Sequence, residues 1–221
     1  MKLITELTEE VSYIIEAVEG QPKKHYIQGR FLVAEEKNRN GRFYPMNIME
    51  KEVARYIKES IEDKRAFGEL GHPQGPQINL DRVSHMITEL KKDGNCFMGK
   101  ALITNTPMGN IAKGLLESGA KLGVSSRGMG SLKPTNEGTM QVQDDFRLAT
   151  AADIVADPSA PGAFVNGIME GVSWIYDPIR GTWLEEAAEN IKKEINKMSL
   201  IKIEEQKLVI FENYLNSLSK K

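Results

Sequence analysis

Val83-Ser84-His85-Met86-Ile87-Thr88-Glu89-Leu90-Lys91-Lys92-Asp93-Gly94-Asn95-Cys96-Phe97-Met98-Gly99-Lys100-Ala101-Leu102-Ile103 is the stretch that decides the fold class. From Asp81 to Leu90 the pattern has period two. Val83, His85 and Ile87 share one face of a strand, and Ser84 and Met86 the other. Lys92-Asp93-Gly94-Asn95 is hairpin-turn chemistry, because aspartate and glycine accept the backbone angles of a tight turn. Cys96 to Ile103 then returns as a second strand. An antiparallel hairpin thus sits in mid-chain.

Strand signals extend outward on both sides. His25 to Ala34 is rich in aromatic and β-branched residues, and Asn38-Arg39-Asn40-Gly41 is a turn leading into Arg42-Phe43-Tyr44-Pro45. Lys121 to Lys133 reads as a strand, Asn136-Glu137-Gly138 turns it, and further strands follow through Gln143 and from Phe146 to Val155. Two helices interrupt this series. One runs from Asn47 to about Ile61 on the spacing of Ile48, Val53, Tyr56, Ile57 and Ile61. The other spans Pro107 to Ser118, with proline early and Gly119 just past its end. The core, residues 23–181, is therefore expected to be α+β, a small antiparallel β-barrel or closed sheet. Residues 1–22 are expected to form a helical extension, from the spacing of Leu3, Leu7, Val11, Ile14, Ile15 and Val18. Residues 182–221 are expected to form a charged helical tail.

Composition narrows the class. The 221 residues are 40% hydrophobic and 27% charged, ordinary for a globular chain with one good-sized core. Net charge is −2, so no global basic character points to nucleic acid or an anionic membrane. Cys96 is the single cysteine, which excludes an internal disulfide and fits a reducing compartment. No apolar run approaches the roughly 20 residues of a membrane span, and the N-terminus turns acidic too early for a secretory signal. An intracellular soluble protein is expected.

Two blocks carry chemistry: Gly68-Glu69-Leu70-Gly71-His72-Pro73 and Gly123-Val124-Ser125-Ser126-Arg127-Gly128-Met129-Gly130-Ser131. Each alone fits a proline-ended turn or a glycine-rich loop, and the second is not the Gly-x-Ser-x-Gly elbow of α/β-hydrolases. Together they supply what a serine hydrolase needs. A hydroxyl is a poor nucleophile without a positioned base, and flanking glycines let backbone donors approach a substrate. Adjacent side chains of a strand point to opposite faces, so only one of Ser125 and Ser126 can face His72. Arg127 orients the loop, meets an acidic group of the substrate or is solvated; Glu69 supports His72 or is solvated. No phosphate-cradling Gly-x-x-x-x-Gly-Lys loop is present, against a nucleotide-driven enzyme.

With Asn38-Arg39-Asn40-Gly41-Arg42-Phe43-Tyr44-Pro45 and Asp157-Pro158-Ser159-Ala160-Pro161, these blocks make four in a characteristic order. Over roughly residues 25–165 the chain resembles the prohead core proteases of T-even-type tailed bacteriophages. The resemblance implies a maturation endopeptidase packed inside the immature capsid, in the host bacterial cytoplasm. Its substrates would be the internal scaffold, the major capsid protein and itself. The implied fold is that of herpesvirus assemblin, a small β-barrel ringed by helices. His72 falls on the family's catalytic histidine and Ser125 on its nucleophile.

For the third member, Asp153 in Thr150-Ala151-Ala152-Asp153-Ile154-Val155 lies where related capsid proteases carry an acid, and a solvated strand-edge aspartate is the alternative. Herpesvirus-type enzymes use a second histidine, which brings in His85, otherwise a buried histidine satisfied by hydrogen bonds. His25 is expected at the surface. The family's preference is cleavage after glutamate with leucine or isoleucine two residues earlier. Ile14-Ile15-Glu16, Leu184-Glu185-Glu186, Ile203-Glu204-Glu205 and Ile48-Met49-Glu50 fit it. No cofactor, nucleic acid or membrane partner is implied; a homo-oligomer that orders the site, or removal of the tails, would switch the enzyme on. The competing readings are a non-catalytic capsid-internal scaffold of the same fold, a metal-dependent hydrolase using His72, His85 and a carboxylate, and an esterase or amidase using the same serine.

Overall fold

The computed structural model describes residues 2–8, 11–16, 23–38, 40–73, 75–136, 138–156, 174–177 and 182–185. In chain order the strands begin with β1 (Lys2–Thr8), β2 (Ser12–Glu16), β3 (Lys24–Val33) and β4 (Arg42–Phe43). Helix α1 (Met46–Tyr56) follows, continued by a wider turn of helix over Ile57–Ile61, and then β5 (Phe67–Glu69). The central hairpin is β6 (Val83–Asp93) and β7 (Cys96–Ile103), followed by α2 (Pro107–Glu117). Next come β8 (Gly123–Gly130), β9 (Leu132–Pro134), β10 (Met140–Val142) and β11 (Arg147–Val155). The short strands β12 (Trp174–Asp177) and β13 (Thr182–Glu185) pair with each other.

The hairpin is the spine of a five-stranded antiparallel sheet of order β2-β3-β7-β6-β5. A second sheet, β1-β8-β11, is also antiparallel. The two meet where β5 ends: Leu70 bridges to Ile154, and the Gly71 N–H donates to the Ile154 carbonyl at 2.8 Å. The α+β reading holds, and the expected closed barrel does not. β5 is three residues long and runs straight into a turn, so its link to β11 is a single bridge. Among the described residues β1 and β2 are not paired with each other, and the ladder stays open at that side too.

The N-terminal helix is also corrected. Residues Lys2–Thr8 and Ser12–Glu16 are strands laid against β8 and β3, with Ile4 buried in the core. The spacing of Leu3, Leu7 and Val11 suits a helix, but Thr5, Thr8, Val11, Ile14 and Ile15 are β-branched. An open strand edge gives them ladder bonds that a lone helix lacks. At the other end Thr182–Glu185 is a strand where a helical tail was expected; residues 186–221, and the Asp157–Pro161 block, lie outside the described residues.

Elsewhere local chemistry and structure agree. Asn38 Oδ1 accepts the N–H groups of Asn40 and Arg42 at 3.0 and 2.9 Å, closing the expected turn. Thr106 caps α2 by accepting the Gly109 N–H at 3.1 Å, with Pro107 at the first helical position. Helix α1 packs Met49, Val53 and Tyr56 into the core and also finishes the edge of β11. The buried Glu52 carboxylate accepts the Leu148 N–H at 2.6 Å and pairs with Arg55, whose Nη2 donates to the Leu148 carbonyl at 3.3 Å. A sheet edge left bare in the interior would strand these groups without partners.

One irregularity matters for everything below. Against β8, the register of β11 runs Leu148↔Gly128, Thr150↔Arg127 and Asp153↔Ser125, so one extra residue is inserted in β11 at each of two steps. Each β-bulge shifts which side chains reach a given face.

Candidate active site

β8 is buried along its whole length. Ser125 and Asp153 are directly opposed across β8 and β11, and directly opposed residues of an antiparallel pair project to the same face. Arg127, two residues on, shares that face, and Ser126 lies on the other. Sequence chemistry left the two serines equal; the register puts Ser125 beside Asp153.

The Asp153 side chain is fully buried and fully engaged. Its Oδ2 accepts Arg127 Nε–H at 2.8 Å, and its Oδ1 accepts the Glu69 N–H at 2.9 Å and Arg127 Nη2 at 3.3 Å. Burial pushes this carboxyl up, but the Arg127 charge beside it, His72 and the donors on Arg127 and Glu69 pull harder. The net effect holds it below its ordinary value, ionised at neutral pH.

His72 arrives from β5. Gly71, just before it, has φ +78°, a left-handed conformation that glycine takes without strain. The turn is pinned by its bond to Ile154 and brings His72 Nδ1 to 3.8 Å from Asp153 Oδ2. That is ion-pair range and about 1 Å beyond a hydrogen bond. The Nδ1 atom is buried and has no hydrogen-bond partner among the described residues.

His85 is engaged differently. It is fully buried, its Nε2–H donates to the Ala152 carbonyl at 3.0 Å, and the Ser84 hydroxyl donates to its Nδ1 at 2.9 Å. Both ring nitrogens are thus taken in the neutral form, and burial pushes its pKa down to about 4 against the opposing charge of Asp153. His25, expected at the surface, is half-buried, stacked on Tyr13 and hydrogen-bonded to its hydroxyl at 2.5 Å.

Arg127 and Glu69, for which a solvated role was one expectation, are both fully buried. Glu69 Oε1 accepts Arg127 Nη2 at 3.2 Å and the Asn79 N–H at 2.9 Å, and Oε2 lies 3.3 Å from Arg82 Nε. Arg82 and Asn79 escaped the sequence reading, since a polar residue just ahead of a strand carries no mark of its partner. Among the described residues no cluster of histidine, cysteine, aspartate and glutamate has the geometry to hold a metal ion, and no helix is long and apolar enough to cross a membrane. β8 is paired on both edges, so the N–H groups of Ser126, Arg127 and Gly128 lie in the sheet plane.

A serine opposite a buried ionised acid, with a histidine 3.8 Å from that acid, supplies the parts of an acyl-transfer site. Comparisons with known proteins point the same way. The chain is 42% identical over 145 residues to the prohead core protein protease of Enterobacteria phage T4, covering 64% of this chain and 68% of that protein. The solved structure of the bacteriophage T4 capsid assembly protease superposes with a TM-score of 0.67 at 34% identity, over 71% of this chain and 98% of that one. The profile of the prohead core protein serine protease family matches residues 11–172, a span that holds His72, Ser125 and Asp153, and the chain belongs to that family.

Proposed function

We propose that this protein is a capsid-maturation endopeptidase in which Ser125 is the nucleophile, His72 the general base and Asp153 the residue that fixes the histidine. The observation that carries the assignment is the opposition of Ser125 and Asp153 across β8 and β11, with His72 Nδ1 3.8 Å from the acid. His72 takes the hydroxyl proton through its other ring nitrogen, and Ser125 Oγ adds to the scissile carbonyl. His72 then hands that proton to the departing amine, and water releases the acyl group by the same route. Asp153 suits the supporting role because Arg127 keeps it ionised at neutral pH, which favours the imidazolium formed in each step. His85 does not suit it, since both its nitrogens are committed.

The family and the phage relatives support the prohead as the place of action, with scaffold and capsid proteins as substrates. Cleavage follows glutamate in Leu/Ile-x-Glu sites and extends to the enzyme itself. Among its own matches, Ile48-Met49-Glu50 is shielded inside α1 with Met49 buried. Ile14-Ile15-Glu16 lies in β2, an edge strand that can peel away from β3. Trimming there, and after Glu186 and Glu205, is the form self-processing takes.

The test compares wild-type, Ser125→Ala and Ser126→Ala proteins. Mass spectrometry reads their termini and their labelling by a serine-directed acylating inhibitor. Wild type and Ser126→Ala are expected to be labelled and trimmed, and Ser125→Ala to be neither. Equal trimming of wild type and Ser125→Ala would sink the assignment. An unlabelled, untrimmed wild type would return the chain to the non-catalytic scaffold reading.

A further inference from the structure

A guanidinium removed from water is costly unless its donors all find acceptors. Arg127 is fully buried, and its bonds are divided in a particular way. Nε and Nη2 grip both oxygens of Asp153, and Nη2 also reaches Glu69 Oε1. Nη1 donates to two backbone carbonyls, Gly75 at 2.5 Å and Gln77 at 2.9 Å, three and five residues beyond His72. The far foot of the same segment is tied through Glu69 as well. Asn79 donates to that carboxylate, and Arg82 pairs with it while donating to the Leu70 carbonyl at 2.8 Å. Simple neutralisation of a buried acid does not need the carbonyls. A planar fork with five donors does what a lysine cannot: it fixes the rotamer of Asp153 and the path of the His72 segment from one rigid group.

We propose that Arg127 is a positioning residue for the His72–Asp153 pair. It acts through the orientation of Asp153 and through the backbone of Gly75 and Gln77. The proposal rests on the assignment of His72 and Asp153 made above. Because His72 stands about 1 Å short of a hydrogen bond to Asp153, small displacements at either end matter, and a misplacement of about 1 Å costs on the order of 10²-fold in rate.

Peptide-cleavage kinetics of Arg127→Lys, Asp153→Asn and the double variant test it. Arg127→Lys keeps the charge and loses the fork; kcat is expected to fall about 10²-fold with KM within about threefold. Asp153→Asn is expected to lose about 10⁴-fold in kcat, and the double variant clearly less than the product of the two losses, because part of the arginine's influence passes through the acid. Losses that multiply in the double variant, or a loss in Arg127→Lys that falls on KM, overturn the positioning role and leave the assignment of Asp153 standing. A wild-type kcat in Asp153→Asn overturns that assignment and this proposal together. If Arg127→Lys does not fold, the folded wild type still decides through its nitrogen-15 arginine spectrum. A slowly exchanging Arg127 Nε–H signal that moves in Asp153→Asn supports the proposal, and one averaged with free arginine overturns it.

Discussion

Replacing Gly68 by alanine tests how tightly the two sheets are locked beside the active site. A Cβ built at this position overlaps both the Ala152 carbonyl oxygen and the His85 ring. Non-bonded heavy atoms pack at roughly 3.5 Å or more, so β5 or the ring must give by about 1 Å. The carbonyl belongs to β11, which α1 and β8 hold in place, so the movement falls on His85 or on β5. Movement of the ring breaks the 3.0 Å bond from His85 Nε2 to Ala152, and movement of β5 strains its ladder at the Gly68↔His85 pair. Overpacking costs about 1–3 kcal/mol, and leaving that buried pair unsatisfied costs about 1–3 kcal/mol more. The expected loss is about 2–6 kcal/mol, a large share of a typical 5–15 kcal/mol stability.

Urea unfolding in a Ser125→Ala background, which removes self-digestion, measures it. Gly94→Ala is the control. Its methyl meets nothing within 4 Å, but φ is +59°, so only backbone strain of about 1–2 kcal/mol is expected. A Gly68→Ala protein within about 0.5 kcal/mol of its parent would refute the lock, since that is the ordinary scatter of harmless surface changes. In the active enzyme the same substitution moves the Glu69 N–H away from Asp153, so kcat should fall along with stability.

Acid should destabilise the fold through His85. Its pKa is about 4 in the folded chain against an ordinary 6.5, so protonation favours the unfolded state. Stability is full above pH 6.5 and falls by about 3 kcal/mol as pH drops toward 4. Asp153, whose pKa is lowered, adds its own loss only below the ordinary carboxylate range. Unfolding free energies at pH 7 and 4.5 for Ser125→Ala and Ser125→Ala/His85→Gln check this, and equal slopes in the two would remove His85 as the cause. Thr106→Ala should cost about 1–2 kcal/mol in the same urea assay. The side chain both caps α2 and donates to the Val83 carbonyl at 2.5 Å; a change within error would mean that water replaces the cap.

The fold was legible where a local signal and its tertiary use coincide. The Asp93–Asn95 hairpin, the Asn38 turn and the Thr106–Pro107 start of α2 carry their own geometry. The N-terminal segment was misread because its partner, the edge of β8, lies more than a hundred residues away and has no echo in the spacing of Leu3, Leu7 and Val11. The three members of the proposed triad could be named from ordered motifs. The preference for Ser125 and Asp153 rested on the resemblance; the register of β8 against β11 and the two bonds of the His85 ring, which support it, are not written in the sequence. Glu69 and Arg127 look like solvated charges in a list of residues. Only the crossing of β5 and β11 makes them partners.

The two extra residues in β11 turn strand length into a catalytic quantity. Each one reverses the alternation of side chains beyond it, and with both in place Asp153, not Ala151, stands opposite Ser125. Deleting either residue would swing the carboxylate out of step with the serine while leaving every side chain of the proposed triad in the sequence. Evolution can therefore vary the identities between Arg147 and Ala152 more freely than their number. Family members should show substitutions there and gaps elsewhere, and a relative one residue shorter in this strand would keep the motifs and lose the enzyme.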